Sequence, residues 1–356
     1  MKGLIMSGGK GTRLRPLTFT RAKQLIPIAN KPNLFYVIED LVGAGIEEIG
    51  VVISPETGPE IRAALGHGER WGCKLTFIEQ DRPAGLADAV RTAQGFLGDD
   101  SFVTYLGDNI LSGGITALVD EFRAQQPDAL LLLTPVEDAR QFGVAVVNER
   151  GEVVQLIEKP QNPPSNLALV GVYVFTKAIH DVIATLKPSG RGEYELTDAI
   201  QGLLESGKRV SVHQVRGWWK DTGKAEDLLE ANRMVLSQVR RDIQGEVVES
   251  QILGDVVLEE GARVVRSMVR GPAHIARGAL VQDSFVGPYS SVGTGVQIIN
   301  SEIEYSLLLQ DSRIESLSCR LDSSVIGQGV LVHGGADQRR RNTCQLVVGD
   351  YSQVHL

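Results

Sequence analysis

Directly after a short apolar run, Leu4 to Met6, the chain carries Ser7-Gly8-Gly9-Lys10-Gly11-Thr12-Arg13-Leu14-Arg15-Pro16-Leu17-Thr18. Glycine permits positive φ and close backbone approach, so successive N–H groups of such a loop can wrap around phosphate oxygens. Lys10, Arg13 and Arg15 add charge-assisted donors suited to a triphosphate. Two known phosphate loops do not fit. A P-loop needs Lys-Ser/Thr directly after its last glycine, where this chain has Thr12-Arg13. The dinucleotide fingerprint Gly-x-Gly-x-x-Gly needs a third glycine where Leu14 stands. Taken alone, the loop reads as a phosphate cradle, with a structural glycine turn as the bland alternative.

The elements that must position this loop follow in a regular rhythm. Leu4–Met6 reads as a strand, and Asn33–Ala44 as a helix with Leu34, Val37, Ile38 and Leu41 on one face. Strands are expected over Ile49–Ile53, Leu75–Glu79, Phe102–Leu106 and Ala129–Thr134, with helices over Glu60–Leu65 and Ala87–Phe96. Strand, loop and helix in this order predict an α/β domain, Rossmann-like, with a mixed, mostly parallel sheet covered on both faces. Ligands on such sheets sit at the carboxyl ends of strands, where the glycine loop and Asp108 both fall.

From about Ile252 helical periodicity disappears. Aliphatics recur roughly six residues apart, as in Ile252, Leu258 and Val264, then Val269, Ile275 and Val281, then Val286, Val292 and Ile298. Turns such as Gly254-Asp255 and Gly293-Thr294-Gly295 lie between them. One inward residue per side suits a triangular parallel β-helix of the left-handed hexad type, with about eighteen residues per coil and about five coils. The register is expected to slip around Gly271-Pro272 and Leu307–Leu309. Gly334–Asn342, with Arg339-Arg340-Arg341, interrupts the repeat and reads as a solvated basic loop; Leu346–Asp350 resumes it. The expected division is a catalytic domain over 1–239 and a β-helix over 240–356, joined through the end of a helix at Ala225–Val239. A stack with an open apolar end invites capping by the catalytic domain or by another subunit, and a homo-oligomer is expected.

Together with the glycine loop, several ordered blocks resemble the sugar nucleotidylyltransferase family, and more narrowly its long thymidylyltransferases acting on glucose 1-phosphate. They are Ala22-Lys23-Gln24-Leu25-Ile26-Pro27, Gln80-Asp81-Arg82-Pro83-Ala84-Gly85-Leu86-Ala87-Asp88, Leu106-Gly107-Asp108-Asn109, Ile157-Glu158-Lys159-Pro160, Gly192-Glu193-Tyr194-Glu195-Leu196-Thr197-Asp198 and Trp218-Trp219-Lys220-Asp221-Thr222-Gly223. The resemblance spans residues 1 to about 237. It implies that Gly8, Gly9, Gly11, Thr12 and Arg13 cradle the nucleotide phosphates, with Lys23 at the transferred group. Gln24, Gln80 and Gly85 would contact the base. Asp108 and Asp221 would hold Mg²⁺. Gly143, Glu158, Val170, Gly171 and Glu195 would take the sugar, and Lys159 its phosphate. The expected reaction is thymidylyl transfer from dTTP to glucose 1-phosphate, releasing pyrophosphate.

The residue types suit that chemistry. Two carboxylates from separate strand ends can fix Mg²⁺ where charge gathers on the α-phosphate. The sugar-phosphate nucleophile is already ionised, so positioning and electrostatics suffice. Each residue also has a plainer reading: Asp108 as a turn residue, Asp221 as a helix cap, Lys159 as a surface lysine. Gln24 and Gln80 could offer amides to the O4/N3 edge of thymine or uracil, so UTP stays open as the donor. Two departures stand out: Phe142, where thymidylyltransferases often carry Tyr, and Lys220 before Asp221. A regulatory subunit of the same fold is the alternative of another class.

Composition narrows the partners. A net charge of −8 over 356 residues gives no general footprint for nucleic acid. There is no long apolar span for a membrane, and the chain reads as cytoplasmic. Cys73, Cys319 and Cys344 are odd in number and far apart, which predicts no disulfide framework and no metal site.

Overall fold

The computed structural model describes residues 1–335 and 343–356; Arg339-Arg340-Arg341 lies outside the described residues. The chain falls into two compact units, one of residues 1–9 and 34–221, the other of residues 10–33 and 222–356.

The first unit is built on one sheet. Its strands run in the order Val153–Glu158, Gly143–Val147, Leu167–Phe175, Phe102–Leu106, Lys2–Met6, Glu48–Ile53 and Lys74–Glu79. Ala129–Pro135 joins Leu167–Phe175 and carries Val210–Gln214 on its other side. The four strands from Phe102–Leu106 to Lys74–Glu79 are mutually parallel. Leu167–Phe175 is antiparallel to its neighbours, so the sheet is mixed as expected. Leu4, Ile5, Val51, Val52, Phe102 and Val103 are all buried, because strands covered on both faces must be apolar throughout. In the helix Asn33–Gly43, Leu34, Val37, Ile38 and Leu41 fall at helical spacing and are fully buried. The helix expected over Ala87–Phe96 is two pieces, Leu86–Thr92 and Gln94–Leu97. Thr92 Oγ1 donates to the Asp88 carbonyl one turn back at 2.9 Å, a bond that competes with the helical ladder near this break.

In the second unit the three sides of a triangular coil form three parallel sheets, of seven, seven and five strands among the described residues. This is the left-handed β-helix the hexads predicted. Among the described residues five coils carry strands on all three sides, and two more at the C-terminal end carry strands on two. Leu258, Val264, Val269, Ile275, Val281, Val286, Val292 and Ile298 point inward and are fully buried. Their spacing corrects the expected coil length. Steps of six, five and six residues close a coil in seventeen, as in the pairings Val264↔Val281 and Val281↔Ile298.

The short step has a physical cause. At that corner one residue per coil takes positive φ: Glu249, Arg266, Asp283 and Asn300. The serine after it makes the tight turn self-satisfying. The N–H of Ser267 donates to Ser250 Oγ at 2.9 Å, Ser284 to Ser267 at 3.0 Å, and Ser301 to Ser284 at 3.1 Å. A serine ladder thus absorbs the backbone donors that the corner turns away from the sheets. One coil shrinks to sixteen residues at Leu307–Leu309, where a slip was expected, since Ile298 pairs with Ile314.

The cysteines also need correcting. Cys319 and Cys344 are joined, with Cα atoms 6.1 Å apart, although 25 residues separate them in sequence. The interruption of the repeat hides the fact that they sit on neighbouring coils, where Cys344 bridges Leu321. Cys73 is free and buried. Among the described residues no helix is long and apolar enough to cross a membrane.

Each inward aliphatic fills one layer between two others. Replacing Ile298 with Ala should therefore cost about 2–5 kcal/mol, read as a lowered urea midpoint; an unchanged midpoint would show that the layer can collapse around the gap.

Candidate active site

The register of the parallel strands gathers the candidate residues of the first unit on one edge. Met6 pairs with both Leu106 and Val52, and Val52 pairs with Ile78. The strands therefore end level, and Ser7-Gly8, Gly107-Asp108 and Gln80 leave them side by side. Backbone bonds continue the ladder into these turns: Ser7 N–H to Val52 O at 2.8 Å, Gly107 N–H to Met6 O and Gln80 N–H to Ile53 O, both at 2.9 Å. A side chain on Gly8 would meet Gln80 Oε1 at 3.4 Å. Gly9 follows and is exposed.

Gln80 is held in one orientation. Its Nε2 donates to Asp88 Oδ2 at 2.7 Å and to the Gly85 carbonyl at 3.4 Å. A carboxylate can only accept, so this bond fixes which end of the amide is which and turns Oε1 outward as an acceptor. Asp88, to which sequence reasoning gave no role, is the residue that sets this. The signal was its place in the block that begins at Gln80. Gly85 has φ of 113°, and a Cβ there would fall on the backbone of Tyr194. The two strands of chain are stitched at this point by Tyr194 N–H to Ala84 O at 2.8 Å and Ala87 N–H to Tyr194 O at 3.0 Å.

The two candidate metal ligands are brought to one place by a small antiparallel pair. Trp219–Asp221 pairs with Asn109–Leu111, setting Asp221 opposite Asn109 and so beside Asp108. Asp108 is buried, and its Oδ1 accepts from Asn109 Nδ2 at 3.1 Å. Trp219 Nε1 donates to Asn109 Oδ1 at 2.5 Å, and its ring packs edge-on to Phe142 with centroids 5.3 Å apart. Phe142 thus serves packing here. Two carboxylates fixed by neighbouring strands supply hard oxygen donors that fit Mg²⁺, which keeps its other positions for water and phosphate. Among the described residues no three or more His, Cys, Asp or Glu side chains cluster to hold a metal.

A second group lies around Glu158, at the end of the strand paired to Gly143. Thr197 Oγ1 donates to Glu158 Oε2 at 2.6 Å, and Arg191 Nη1 to Glu158 Oε1 at 3.1 Å. A Cβ on Gly143 would meet Thr197 Oγ1 at 2.9 Å and Glu158 Oε2 at 3.2 Å, so only glycine leaves the carboxylate open. Lys159 turns the chain with φ of 41°, its N–H on the Phe142 carbonyl at 3.0 Å and its Nζ 3.5 Å from Glu158 Oε1. Glu195 is buried, accepts from Ser189 Oγ at 2.9 Å, and has its carboxyl pushed above the usual range by burial. Arg191 is the residue sequence reasoning missed; it lies one position before the Gly192–Asp198 block. Val170 is fully buried and can offer a ligand only its backbone. Gly171, with φ of 76°, sits where the strand register shifts; a side chain there would strike Leu106 and approach Asn109 Oδ1 at 3.2 Å.

The remaining candidates belong to the second unit. Gly11 has φ of 63°, and a Cβ there would press on Lys23 at 2.9 Å. Thr18 Oγ1 donates to the Gly11 carbonyl at 2.7 Å, closing the loop over a buried Leu14. Thr12 and Arg13 are exposed on the short 3₁₀ turn Thr12–Leu14. Lys23 and Gln24 lie on a second such turn, Lys23–Leu25, with Lys23 half-buried and Gln24 buried.

A parallel sheet with a glycine loop and carboxylates at its carboxyl edge is the architecture of an enzyme class that handles nucleotide phosphates. The chain belongs to the nucleotidyl transferase family, whose sequence pattern matches residues 2–238. Over its whole length it is 47% identical to a glucose-1-phosphate thymidylyltransferase of Streptomyces antibioticus and 46% identical to one of Streptomyces griseus, covering 99% of each. Among solved structures, a UDP-glucose pyrophosphorylase complexed with UDP-glucose superposes with a TM-score of 0.60 at 26% identity, covering 67% of this chain and 98% of that one.

Because the Gly85 backbone combines positive φ with contact to Tyr194, Gly85→Ala should lower stability by about 1–3 kcal/mol, measured by urea titration. A variant as stable as the parent would mean that this turn adjusts freely.

Proposed function

We propose that the chain transfers a thymidylyl group from dTTP to glucose 1-phosphate, giving dTDP-glucose and pyrophosphate with Mg²⁺ as cofactor. The observation that carries this reading is the pairing of Asp221 with Asn109, which sets two carboxylates together beside the glycine loop's first residues. The full-length similarity to glucose-1-phosphate thymidylyltransferases supports the choice of substrates.

In this reading Asp108 and Asp221 hold Mg²⁺, which supplies positive charge to the reacting phosphates. Gly8, Gly9, Gly11 and Thr12 give backbone and hydroxyl donors to the triphosphate, while Arg13 and Lys23 offset the charge that gathers at the α-phosphorus. Gln80 Oε1, turned outward by Asp88, accepts the N3–H of the base, and Gln24 and Gly85 complete that contact. Glu158, oriented by Thr197 and Arg191, takes sugar hydroxyls together with Glu195 and the backbone of Gly143, Val170 and Gly171. Lys159 holds the sugar phosphate. An oxygen of that phosphate bonds to the α-phosphorus while the bond to the bridging oxygen of the β-phosphate breaks, and pyrophosphate leaves. The nucleophile is already an anion, so no side chain needs to remove a proton.

One observation favours a second donor. The N3–H and carbonyl edge that Gln80 would read is the same in uracil, and a methyl group discriminates weakly. UTP is thus the alternative donor.

A panel of nucleoside triphosphates against sugar 1-phosphates, followed by pyrophosphate release with Mg²⁺, tests the assignment. We expect dTTP with glucose 1-phosphate to give the highest kcat/KM; a clear preference for UTP or a purine donor would replace it. Asp108→Asn and Asp221→Asn should each slow turnover about a thousandfold, the loss of several kcal/mol of transition-state stabilisation, with unfolding little changed. Near-parent rates at saturating Mg²⁺ in both would remove the carboxylates from the mechanism.

A further inference from the structure

Residues 10–33, which carry Arg13, Lys23 and Gln24, are fastened at two points to the β-helix within the second unit. The first point is Asp350, near the C-terminal end of the chain. Its Oδ2 accepts from Thr20 Oγ1 at 2.7 Å and from Arg21 Nε at 3.1 Å, and its Oδ1 accepts from Gln328 N–H at 2.7 Å. Arg21 Nη2 reaches Gln328 Oε1 at 2.7 Å, closing a ring of polar contacts. The Asp350 side chain is only 2% exposed and that of Arg21 14%, so this is a shielded ion pair rather than a surface one. Close by, Pro16 lies against Gly349, where a Cβ would sit 3.0 Å from the Pro16 carbonyl oxygen.

The second point grips a tight hairpin in which Ala29 and Asn30 both have positive φ, 48° and 63°. An alanine rarely adopts that conformation unless its surroundings impose it. Here they do. Asn232, fully buried, accepts from Ala29 N–H at 2.9 Å and from Ser291 Oγ at 2.7 Å, and donates to Tyr289 O at 3.0 Å. His274 Nδ1 lies 3.1 Å from Ala29 O, and its Nε2 lies 2.8 Å from Glu259 Oε1. Asn30 Nδ2 donates to His274 O at 3.2 Å and Val292 O at 3.1 Å.

We infer that the β-helix is a positioning element for nucleotide use: Asp350 and His274, through Arg21 and Ala29, hold the turn Lys23–Leu25 in the conformation that meets a nucleoside triphosphate. The two clamps flank that turn by two residues on one side and four on the other, and no clamp residue is one that should touch substrate. A turn pinned at both ends has little freedom to move, and misplacement by about 1 Å in a reacting site costs up to about a hundredfold. The inference rests on the nucleotidyl-transfer reading, but the anchoring itself can be measured without turnover.

The experiment uses the full chain with Asp350→Asn, Asp350→Ala and His274→Gln. Amide hydrogen exchange without substrate reads the anchoring: exchange over residues 17–30 should quicken in each variant, at unchanged protection in the sheet of the first unit. Steady-state kinetics then vary dTTP and glucose 1-phosphate separately. We expect the KM for dTTP to rise about tenfold or more, while the KM for glucose 1-phosphate stays within about twofold of the parent. Arg21→Ala added to Asp350→Ala should change little further, because the two act as one pair. Unchanged exchange over 17–30, or equal changes in both KM values, would overturn the inference. If Asp350→Ala fails to fold, the isosteric Asp350→Asn decides. A parent chain that releases no pyrophosphate from any nucleoside triphosphate refutes the proposed reaction instead, and the exchange result still decides whether the clamps exist.

Discussion

The chemistry of the first unit depends on the hydrogen-bonded register of its four parallel strands. Parallel pairing sends every chain the same way, so all carboxyl ends emerge on one edge. The register Met6↔Leu106, Met6↔Val52 and Val52↔Ile78 makes those ends level to within a residue. Only then can Gly8, Gln80 and Asp108, spread over a hundred residues of sequence, become neighbours. A slip of one residue in any strand would shift its turn by about 3.3 Å along the sheet and put Gly8, Gln80 or Asp108 out of line with the others. The level ends are what bring the site together.

Around this edge the structure uses small devices to keep polar groups aimed rather than merely present. Asp88 decides which end of the Gln80 amide faces outward. Thr197 and Arg191 hold the two oxygens of Glu158, and Gly143 leaves room for them. Burial raises the Asp198 carboxyl above its usual range, with the nearby Glu158 charge adding to it. Glu195 is raised chiefly by burial as well. An acid whose folded-state value is raised contributes stability at low pH that is lost as pH climbs through that value. The group around Glu158 is therefore held together at neutral pH by Thr197, Arg191 and Ser189 against the mutual repulsion of its carboxylates.

Much of this was readable from residue patterns, for physical reasons. Apolar runs and helical spacing follow from burial, so five strands of the sheet and the helix at Asn33–Gly43 were foreseen within a residue or two, whereas Gly143–Val147, Val153–Glu158, Leu167–Phe175 and Val210–Gln214 were not. The hexads revealed the β-helix because each side of a coil needs one inward residue. What failed was arithmetic that hydrogen bonds decide. The seventeen-residue coil depends on a corner where Arg266 or Asp283 takes positive φ and a serine accepts the next coil's N–H, and neither residue type announces this. The Cys319–Cys344 link was hidden by an interruption of the repeat. Arg191 and Asp88 act through other side chains, so beyond Asp88's place in the Gln80 block nothing in their spacing distinguished them from surface charges. The clamps on residues 10–33 were least visible of all, since they join positions more than 200 residues apart.

Those clamps bear on why residues 10–33 should share a unit with a β-helix. Gly11, with φ of 63°, lies in that segment, and glycine loses the most conformational freedom when ordered. If the segment meets a nucleotide as proposed, leaving it free would bring that cost to each binding event and lower affinity accordingly. The β-helix is a rigid lattice in which each coil is bonded to the next along its sides, and a residue seated on it inherits that rigidity. Ala29 shows the principle at the scale of one residue: its unfavourable φ persists because Asn232 and His274 meet both its N–H and its carbonyl. Ordering the segment in advance moves the entropy loss from binding to folding, where the buried aliphatics of the stacked coils offset it. In the inferred scheme the β-helix acts through Arg21 and Ala29, by holding residues 10–33 in place.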